Sequence, residues 1–346
     1  MAATPACVAA YVAAGHQVLV QASAGAGVGM SDADYVAAGA TVLPTAHEVW
    51  ERAEMVIKVK EPLPDEFGYL RPGLLLFTFL HLAAVPDLTR ALLKEAVSAV
   101  AYETIVDNHG RLPCLVPMSA IAGRLSVQEG AKYLERPFGG RGVLLAGVPG
   151  APRGNVVILG GGMVGTQAAK MAVGLGANVT IVELAQRRLY ELDDLFAGRA
   201  QLLQASAHAI AESLKAADLV VGAVLVPGAA APKLIRHEHL KQMQEGAVIV
   251  DVAVDQGGCA ETTRPTTHHE PVFTVEGVQH YCVTNMPSAV ARTATLALAS
   301  ATLPYGLKLA NLGLEAAMAA DEGLRKGLNT KDGAITHPAV AAALGM

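Results

Sequence analysis

Short apolar runs separated by helix-like stretches dominate the first 110 residues of the chain. Strands that alternate with helices in this way form a parallel sheet whose crossover connections are helical. The runs with strand character are Val18–Gln21, Thr41–Leu43, Met55–Val59, Leu74–Phe79 and Ala99–Glu103. The pattern therefore predicts a parallel α/β sheet in this part of the chain.

Helix-start signals support this pattern. Thr4 followed by Pro5 predicts an N-cap and a first helical position, Gly15 predicts the end of that helix, and Ser31 predicts a second N-cap. No strand-like run precedes the Thr4 helix in the printed sequence, although a sheet of this kind ordinarily begins with a strand.

The second half of the chain repeats the alternation. Residues 117–135 have helical character, strands are expected near 155–159, 179–183, 218–222, 247–251 and 280–284, and a long helix is expected over 289–312, with Pro304 as a candidate interruption. We predict an α/β fold of two Rossmann-like doubly wound parallel-sheet domains with an interdomain cleft. The first domain would be discontinuous, residues 1–113 plus 292–346, and would lack its first strand. Residues 114–291 would form the second domain.

One turn in the second domain predicts a dinucleotide site. The apolar run Val156–Leu159 enters Gly160-x-Gly162-x-x-Gly165, a helix-like segment follows, and a second apolar run ends on Glu183, 18 residues beyond Gly165. The first glycine makes the tight turn, the second admits a pyrophosphate and the third allows helix to pack on strand. The second domain is therefore predicted to bind a dinucleotide over a helix N-terminus.

Glu183 favours NAD over NADP, because a carboxylate accepts hydrogen bonds from ribose hydroxyls and repels a 2′-phosphate. Arg187 and Arg188 could recruit such a phosphate, but we interpret them as surface residues in the first turn of the next helix. Arg188 stays among the predicted cofactor positions.

Composition excludes several other classes of protein. The 346 residues are 52% hydrophobic and 16% charged with a net charge of −5, which leaves no basic patch for nucleic acid. No apolar stretch reaches the ~20 residues of a membrane span, and no secretory leader is recognisable. The cysteines are widely spaced and form no CxxC, which favours reduced thiols in a cytoplasmic protein: Cys7, Cys114, Cys259 and Cys282.

Three polar residues follow strand-like runs, where ligands of open α/β sheets bind. They are Lys60 in MVIKVKEP, His81 in LLLFTFLH and Asp255 in VIVDVAVDQGG. A cation can hold a carboxylate, an imidazole can move protons near neutral pH, and an acid can orient groups at the reacting carbon. Strand alternation puts Lys58 and Lys60 on one face, and Asp251 competes with Asp255 but could equally cap a turn.

The other histidines indicate no metal site. His237-x-His239 and His268-His269 have no cysteine or carboxylate arrangement of the metal-binding kind, and we interpret them as surface-loop residues. No GxSxG or cysteine–histidine nucleophile signature is present.

Motifs spread over almost the whole chain resemble alanine dehydrogenase, of the alanine dehydrogenase/pyridine nucleotide transhydrogenase family. In order, they are KVKEP, FTFLHLA, PMSAIAGRLSVQEGA, GGRGVLLAGVPGAPRG, the glycine turn, GAVLVPGAAAPKL, VIVDVAVDQGGC and TNMPSAV. The resemblance implies that Lys60 binds the substrate carboxylate, that His81 is the catalytic acid/base, and that Asp255 lies beside the nicotinamide and the substrate. Met118 and Ser119 would line the cofactor cleft, Met118 on the substrate side. The remaining implied cofactor positions are Gly160, Gly162, Met163, Val164, Gly165, Glu183, Arg188, Val224, Leu225, Asn285 and Met286.

The implied activity is NAD-dependent, reversible oxidative deamination of L-alanine to pyruvate and ammonia, by a cytoplasmic homohexamer without nucleic-acid or membrane partners. Residues 1–113 plus 292–346 would then hold the substrate and residues 114–291 the NAD. Two alternatives stay open: a protein like the transhydrogenase α subunit, which passes hydride between nucleotides, and an NAD-binding protein with impaired catalysis.

The second alternative arises at the N-terminus. Members of the family carry an upstream strand and an arginine that clamps the substrate carboxylate, and the printed sequence begins just after their place. Losing such a charge-assisted partner costs about 2–5 kcal/mol. We expect a start codon assigned too late rather than a weakened enzyme, because the other site residues are present.

Overall fold

The computed structural model describes residues 1–224 and 231–345, and the chain divides into two compact units. The first unit comprises Met1–Met118 and Val290–Met346, and the second comprises Ser119–Ala289. Helices alternate with largely parallel strands in both units, so the predicted α/β fold class is confirmed.

The N-terminal part of the first unit follows the predicted alternation. Its elements are α1 (Pro5–Ala13), β1 (Leu19–Gln21), α2 (Asp32–Ala37), β2 (Thr41–Leu43), α3 (Ala46–Arg52), β3 (Met55–Ile57), β4 (Leu75–Thr78), α4 (Pro86–Lys94) and β5 (Ser98–Ala101). The predicted caps are confirmed: the hydroxyl oxygens of Thr4 and Ser31 accept hydrogen bonds from the N–H groups of Cys7 and Asp34 at the starts of α1 and α2.

The second unit contains the glycine turn and the strands around it. Helix α5 (Val116–Tyr133) leads into it, followed by β6 (Asn155–Leu159), α6 (Met163–Gly174), β7 (Asn178–Glu183), α7 (Gln186–Phe196), β8 (Gln201–Gln204), α8 (Ala207–Ala216), β9 (Leu219–Gly222), α9 (His237–Leu240), β10 (Val248–Asp251), β11 (Val272–Val275) and β12 (Val278–Tyr281). The strand expected near 280–284 therefore lies slightly earlier in the chain.

The C-terminal part returns to the first unit with α10 (Ala291–Ala320), α11 (Glu322–Arg325), β13 (Leu328–Lys331), β14 (Ala334–Ile335) and α12 (Pro338–Leu344). Pro304 lies inside α10 without breaking it, and the kink falls instead at Gly313, whose φ of 73° and ψ of 166° are not helical. Only glycine adopts a positive φ of this kind freely, which explains why the helix breaks there.

Strands of the first unit form two sheets rather than one. β1 pairs with β2 in a two-stranded parallel sheet, and the order of the other sheet is β14-β13-β5-β4-β3. β3, β4 and β5 are parallel, whereas β13 and β14 are antiparallel additions at one edge. The parallel core of this sheet places the ends of β3, β4 and β5 side by side.

Seven strands in the described part of the second unit have the order β11-β12-β10-β9-β6-β7-β8. All neighbouring pairs are parallel except β11 with β12. The chain moves from β6 to β7 and β8 on one side and then returns to β9 on the other. Beside β6 the strand order therefore reverses, and ligands of doubly wound sheets bind at the carboxyl ends of the strands at such a point.

His280, on β12, predicts a pH dependence of stability. Its side chain is fully buried, with Nδ1 3.0 Å from the Val278 carbonyl oxygen and Nε2 2.8 Å from the Thr262 hydroxyl. Burial lowers the pKa of His280 below its usual 6.5. The unfolded chain thus binds a proton at a higher pH than the folded protein does. We expect the free energy of unfolding to fall as the pH drops below about 6.5, by at most about 1.4 kcal/mol per pH unit from this group.

The measurement is urea unfolding at pH values from 7.5 to 5.5 (roughly the window in which a histidine of this kind titrates). His280→Asn should be less stable at pH 7 but should show a shallower fall toward acid. An equal pH slope in both proteins would contradict the assignment to His280.

Candidate active site

Four charged or titratable side chains lie just beyond the carboxyl ends of the three adjacent parallel strands of the first unit. Lys60 and Glu61 follow β3, His81 follows β4 and Glu103 follows β5. The hydroxyl of Thr78, at the end of β4, donates to the Lys60 carbonyl oxygen at 2.9 Å. The sheet itself therefore brings the predicted residues Lys60 and His81 to the same side, at the carboxyl ends of its parallel strands.

His81 is held by carboxylates on both sides. Its Nδ1 lies 3.0 Å from Glu61 Oε2, and its backbone N–H donates to Glu103 Oε1 at 2.7 Å. The backbone of His81 has a φ of 50°, in the left-handed region that non-glycine residues rarely adopt. Such conformations cluster at functional sites, where the surrounding contacts maintain them.

Glu61 determines how the imidazole can act. Partial burial alone would raise the pKa of Glu61, but hydrogen bonds to its own N–H and to His81, with the nearby Lys60 ammonium, lower that pKa below its usual value. An ionised carboxylate can only accept a hydrogen bond, so His81 donates from Nδ1 and leaves Nε2 available for a substrate proton.

Neither Glu61 nor Glu103 was predicted from the sequence pattern. Glu61 is the acid of the quoted KVKEP motif, and Glu103 is the last residue of the run Ala99–Glu103. Their position at the ends of strands adjacent to β4 was the signal that could have identified both.

Lys58 and Lys60 have different environments, which strand alternation could not distinguish. The Lys58 ammonium forms an ion pair with Glu66 and lies 5.6 Å from the centre of the Trp50 ring. Lys60 is exposed, and its ammonium has no ion-pair partner or hydrogen bond among the described residues. β3 ends at Ile57, so both lysines lie beyond the strand, and it is their partners that distinguish them.

An apolar cluster lies next to the His81 ring. The Phe79 ring stacks against it with centroids 5.9 Å apart and an angle of 19° between the planes. Phe79 in turn contacts Tyr102 edge-on, and Met118 packs on the same cluster. Met118 therefore belongs to the His81 side of the first unit.

The turn after β6 meets the steric demands of a phosphate-binding loop. A Cβ built on Gly165 would lie 1.8 Å from the Gly160 carbonyl oxygen, and one built on Gly160, whose φ is 99°, would lie 2.7 Å from that of Ala223. A Cβ at Gly162, the N-cap of α6, would meet no described atom within 4 Å. Gly160 and Gly165 are thus required because a side chain at either position would collide with the protein backbone. Gly162 instead borders space that is open to a ligand.

Glu183 ends β7 and holds the turn. Its carboxylate accepts hydrogen bonds from the N–H of Gly161 at 2.6 Å and from that of Ala185 at 2.8 Å. Each carboxylate oxygen has a further lone pair, so Glu183 could accept from ribose hydroxyls as well.

Arg188 does not have the surface role that we expected. Its guanidinium donates to the Gly161 carbonyl oxygen and to the Thr166 hydroxyl, both at 2.8 Å, whereas Arg187 is 93% exposed and pairs with Glu191. The surface interpretation holds for Arg187 alone. The Gly161 N–H donates to Glu183 and the Gly161 carbonyl oxygen accepts from Arg188, so these two side chains together fix the turn.

The other predicted cofactor positions in this unit surround the turn. Val224 follows β9 and lies close to the Gly160 backbone, and Met163 and Val164 open α6. Ser119 lies one helical turn before Gly123, where a Cβ would lie 2.2 Å from the Val164 carbonyl oxygen. Leu225 lies outside the described residues.

Asp251 and Asp255 have separate roles. Asp251 is fully buried and accepts hydrogen bonds from the N–H groups of Ala253 and Cys259 and from the Thr263 hydroxyl, so it caps a turn, the alternative role predicted for it. Asp255 is exposed on the 3₁₀ turn Val252–Gln256, and its carboxylate has no partner among the described residues. Of the two, Asp255 is the group available to a ligand.

Asn285 and Met286 follow β12. Asn285 is exposed with a φ of 52°, and its carbonyl oxygen accepts from the Ser288 N–H and hydroxyl, whereas Met286 is buried. Asn285 and Met286 therefore lie beyond the carboxyl end of β12.

A dinucleotide fits the residues of the second unit. The open space at Gly162, the N-terminus of the 12-residue helix α6 and the acceptor at Glu183 match what a pyrophosphate and an adenosine ribose require.

Among the described helices, none is both long and apolar enough to cross a membrane. The four cysteines are buried and unpaired with one another.

Comparisons with known proteins cover nearly the whole chain. Residues 1–122 match the family model "Alanine dehydrogenase/PNT, N-terminal domain" and residues 126–338 match "Alanine dehydrogenase/PNT, C-terminal domain". The chain is 54% identical to an alanine dehydrogenase of Methanococcus maripaludis, over 99% of this chain and 92% of that protein.

Solved structures agree with these matches. An L-alanine dehydrogenase, 53% identical, superposes with a TM-score of 0.96 over 99% of this chain and 95% of that one. A transhydrogenase from Sinorhizobium meliloti, 24% identical, gives a TM-score of 0.85 over 97% and 95% of the two chains and shows the shared fold. The resemblance stated from the motifs is thus confirmed, and the chain belongs to the alanine dehydrogenase/pyridine nucleotide transhydrogenase family.

Proposed function

We propose that this protein is an NAD-dependent alanine dehydrogenase, which converts L-alanine, NAD and water reversibly into pyruvate, ammonium, NADH and a proton. The main support within the structure is the arrangement at the ends of β3 and β4. There the exposed Lys60 ammonium lies near the Glu61 carboxylate, which orients the His81 ring. The enzyme class of the relatives agrees with this arrangement.

Lys60 would hold the carboxylate of alanine. Its ammonium is exposed and unpaired among the described residues, so it can bind a small anion without first breaking an ion pair. Positive charge on one side of the substrate also leaves the amino group free to face the imidazole. Met118, packed on the cluster beside His81, would contact the small side chain.

NAD supplies the acceptor for the hydride that leaves the α-carbon of alanine. The oxidised substrate is an iminium ion, and water must then add to its carbon. His81 would take the proton from that water at Nε2 and return it to the nitrogen, because Glu61 keeps Nδ1 as the donor. As the C–N bond breaks and ammonia leaves, Nε2 would take the proton of the new hydroxyl group, and the C=O bond of pyruvate forms. Asp255 would orient the reacting groups from the loop after β10.

Cofactor preference follows from Glu183. A carboxylate at the end of β7 would accept from the ribose hydroxyls of NAD and disfavour the 2′-phosphate of NADP. Arg188 is occupied by Gly161, Thr166 and Glu191, which supports the same preference because its guanidinium is not free to attract a phosphate.

A cytoplasmic homohexamer remains part of the proposal on the family resemblance. Light scattering during size-exclusion chromatography would test the assembly.

One assay distinguishes the proposed function from its alternatives. Alanine-dependent formation of NADH supports an alanine dehydrogenase. Hydride exchange between two nucleotides without alanine would instead indicate transhydrogenase-like chemistry, and tight binding of NAD without turnover would indicate a non-catalytic protein.

The two lysines provide a matched pair of variants. Lys60→Met removes the proposed carboxylate partner, so kcat/KM for alanine should fall by at least about 30-fold. Lys58→Met removes an ion pair outside the proposed substrate contacts and should change kcat/KM less than about twofold. Steady-state kinetics over a range of alanine concentrations measures both, and the reverse order of effects would assign the substrate to Lys58.

A further inference from the structure

We propose that Lys233 is a positioning residue for Asp255, acting through the backbone of the loop that carries that carboxylate. The inference rests on the proposed function, in which Asp255 contacts the reacting groups. Lys233 lies in the GAAAPKL segment, and its own side chain is not required to touch substrate or cofactor.

The Lys233 ammonium contacts three backbone carbonyl oxygens at the end of the Asp255 loop. Nζ lies 2.5 Å from the carbonyl oxygen of Gly257, 3.0 Å from that of Gly258 and 2.9 Å from that of Ala260. An ammonium group has three donors, so this one lysine is fully engaged by the loop.

The two glycine carbonyls have no backbone donor because of the shape of the loop. Gly257 and Gly258 have φ values of 87° and 77°, and their N–H groups point back to the carbonyls of Val254 and Ala253. Among the described residues, no backbone N–H donates to the carbonyl oxygen of either glycine. Lys233 thus supplies the hydrogen-bond donors that this turn lacks. Residues with a side chain would not easily replace the two glycines, because both have a left-handed conformation.

Other contacts hold the same loop on both sides of Asp255. Asp251 accepts hydrogen bonds from the N–H of Ala253, before Asp255, and from that of Cys259, after it, and the Ala231 N–H donates to the Gln256 carbonyl oxygen at 2.9 Å. Asp255 lies within the segment that these contacts and Lys233 hold, and it is exposed. Its carboxylate is therefore placed by the loop backbone, and Lys233 is the one charged side chain among the described residues that binds the carbonyls at the end of that loop.

Removing Lys233 should affect geometry more than stability. The lysine is exposed and the Gly257 carbonyl lies at the surface, so water can replace that hydrogen bond, and the Ala260 carbonyl keeps the one from the Thr263 N–H. Only the part-buried Gly258 carbonyl loses its one donor among the described residues. Water does not restrain the loop, however, and a displacement of about 1 Å in a catalytic group can lower the rate about 100-fold.

The test compares Lys233→Met with Lys241→Met. Methionine keeps the length of the side chain but has no donor. Lys241 borders the same surface depression as Lys233, and its ammonium makes no hydrogen bond or ion pair among the described residues, which makes it a matched control. Lys233→Met should lower kcat by about 10- to 100-fold. The dissociation constant of NADH, from fluorescence titration, should change less than about twofold and the melting temperature by less than about 3 °C.

Lys233→Arg retains a cation with several donors and should keep at least about a third of the wild-type kcat. Lys241→Met should be indistinguishable from wild type. A Lys233→Met kcat within about twofold of wild type would overturn the proposal, and so would a loss that appears only as weaker NADH binding or a lower melting temperature.

A double-mutant cycle distinguishes positioning of Asp255 from a general structural role. In an Asp255→Asn background, Lys233→Met should lower kcat no further, because its effect passes through the carboxylate. Equal, additive losses in both backgrounds would overturn the inference. If Asp255→Asn alone leaves kcat unchanged, the role of Asp255 in the proposed function is wrong, which is a distinct outcome from normal turnover by Lys233→Met.

Discussion

Replacing His81 by asparagine should lower kcat for alanine oxidation by about 10² to 10⁴-fold, or roughly 3–5 kcal/mol in the activation free energy. Asparagine is the appropriate substitute because it tolerates the left-handed backbone that His81 adopts at a φ of 50°. Its amide cannot transfer protons near neutral pH. Steady-state kinetics gives the rate, and NADH titration should show cofactor affinity close to that of wild type.

Glu61→Gln tests whether orientation of the imidazole is part of the same effect. A glutamine amide can donate to His81 Nδ1 and leave the proton on Nε2, the nitrogen that must accept one. We expect a loss of at least about tenfold in kcat with little change in melting temperature. Near-normal turnover by His81→Asn would refute the proton-transfer role, whatever the result for Glu61→Gln.

Gly165→Ala should abolish useful NAD binding and also destabilise the second unit. The added methyl would lie 1.8 Å from the Gly160 carbonyl oxygen, so α6 or the turn must move. Overpacking of this kind costs about 1–3 kcal/mol of stability and sometimes more. Because the turn sets the N–H groups that would receive the pyrophosphate in the proposed function, NAD affinity should fall by at least about 100-fold, measured by calorimetry, with thermal unfolding followed separately.

Two other glycines serve as controls for this effect. Gly162→Ala meets no described protein atom within 4 Å, so it should weaken NAD binding while leaving the melting temperature nearly unchanged. Gly174→Ala, at the exposed end of α6, should leave binding intact and stabilise the helix by up to about 1 kcal/mol. Full NAD affinity in Gly165→Ala would mean that the turn is not the binding element.

Periodicity and local signals were sufficient to predict most of the fold. The strands β3, β4 and β6 lie where apolar runs are bounded by turn residues, and Thr4 and Ser31 cap helices because their side chains compete for the first free N–H groups. The glycine turn was predictable because each glycine answers a local steric demand.

Elements whose stability depends on distant partners were not predicted. β13 has the polar sequence LNTK, which carries no strand signal, and it forms because β5 offers an unpaired edge. Likewise, the break in α10 at Gly313 rather than Pro304 follows from backbone conformation, which sequence pattern does not reveal. Proline can be accommodated inside a helix when neighbouring contacts compensate for its missing N–H.

In the candidate site, too, local sequence pattern predicts some residues, whereas the roles of others depend on residues distant in the chain. Sequence could nominate Lys60 and His81, but it could not choose between Lys58 and Lys60, because the choice depends on Glu66 and Trp50. The carboxylates of Glu61 and Glu103 acquire their roles only when β3, β4 and β5 align in the sheet.

Pairing of β13 with β5 also determines when the first unit can complete its sheet during synthesis on the ribosome. Val100 meets Leu328 in that pairing, so the edge of this sheet stays open while the intervening segment is translated. At ordinary rates of synthesis this interval lasts roughly 10–45 s. The second unit can complete its own sheet during this time, and a nascent chain stalled shortly before Leu328 would expose β5 to wrong partners.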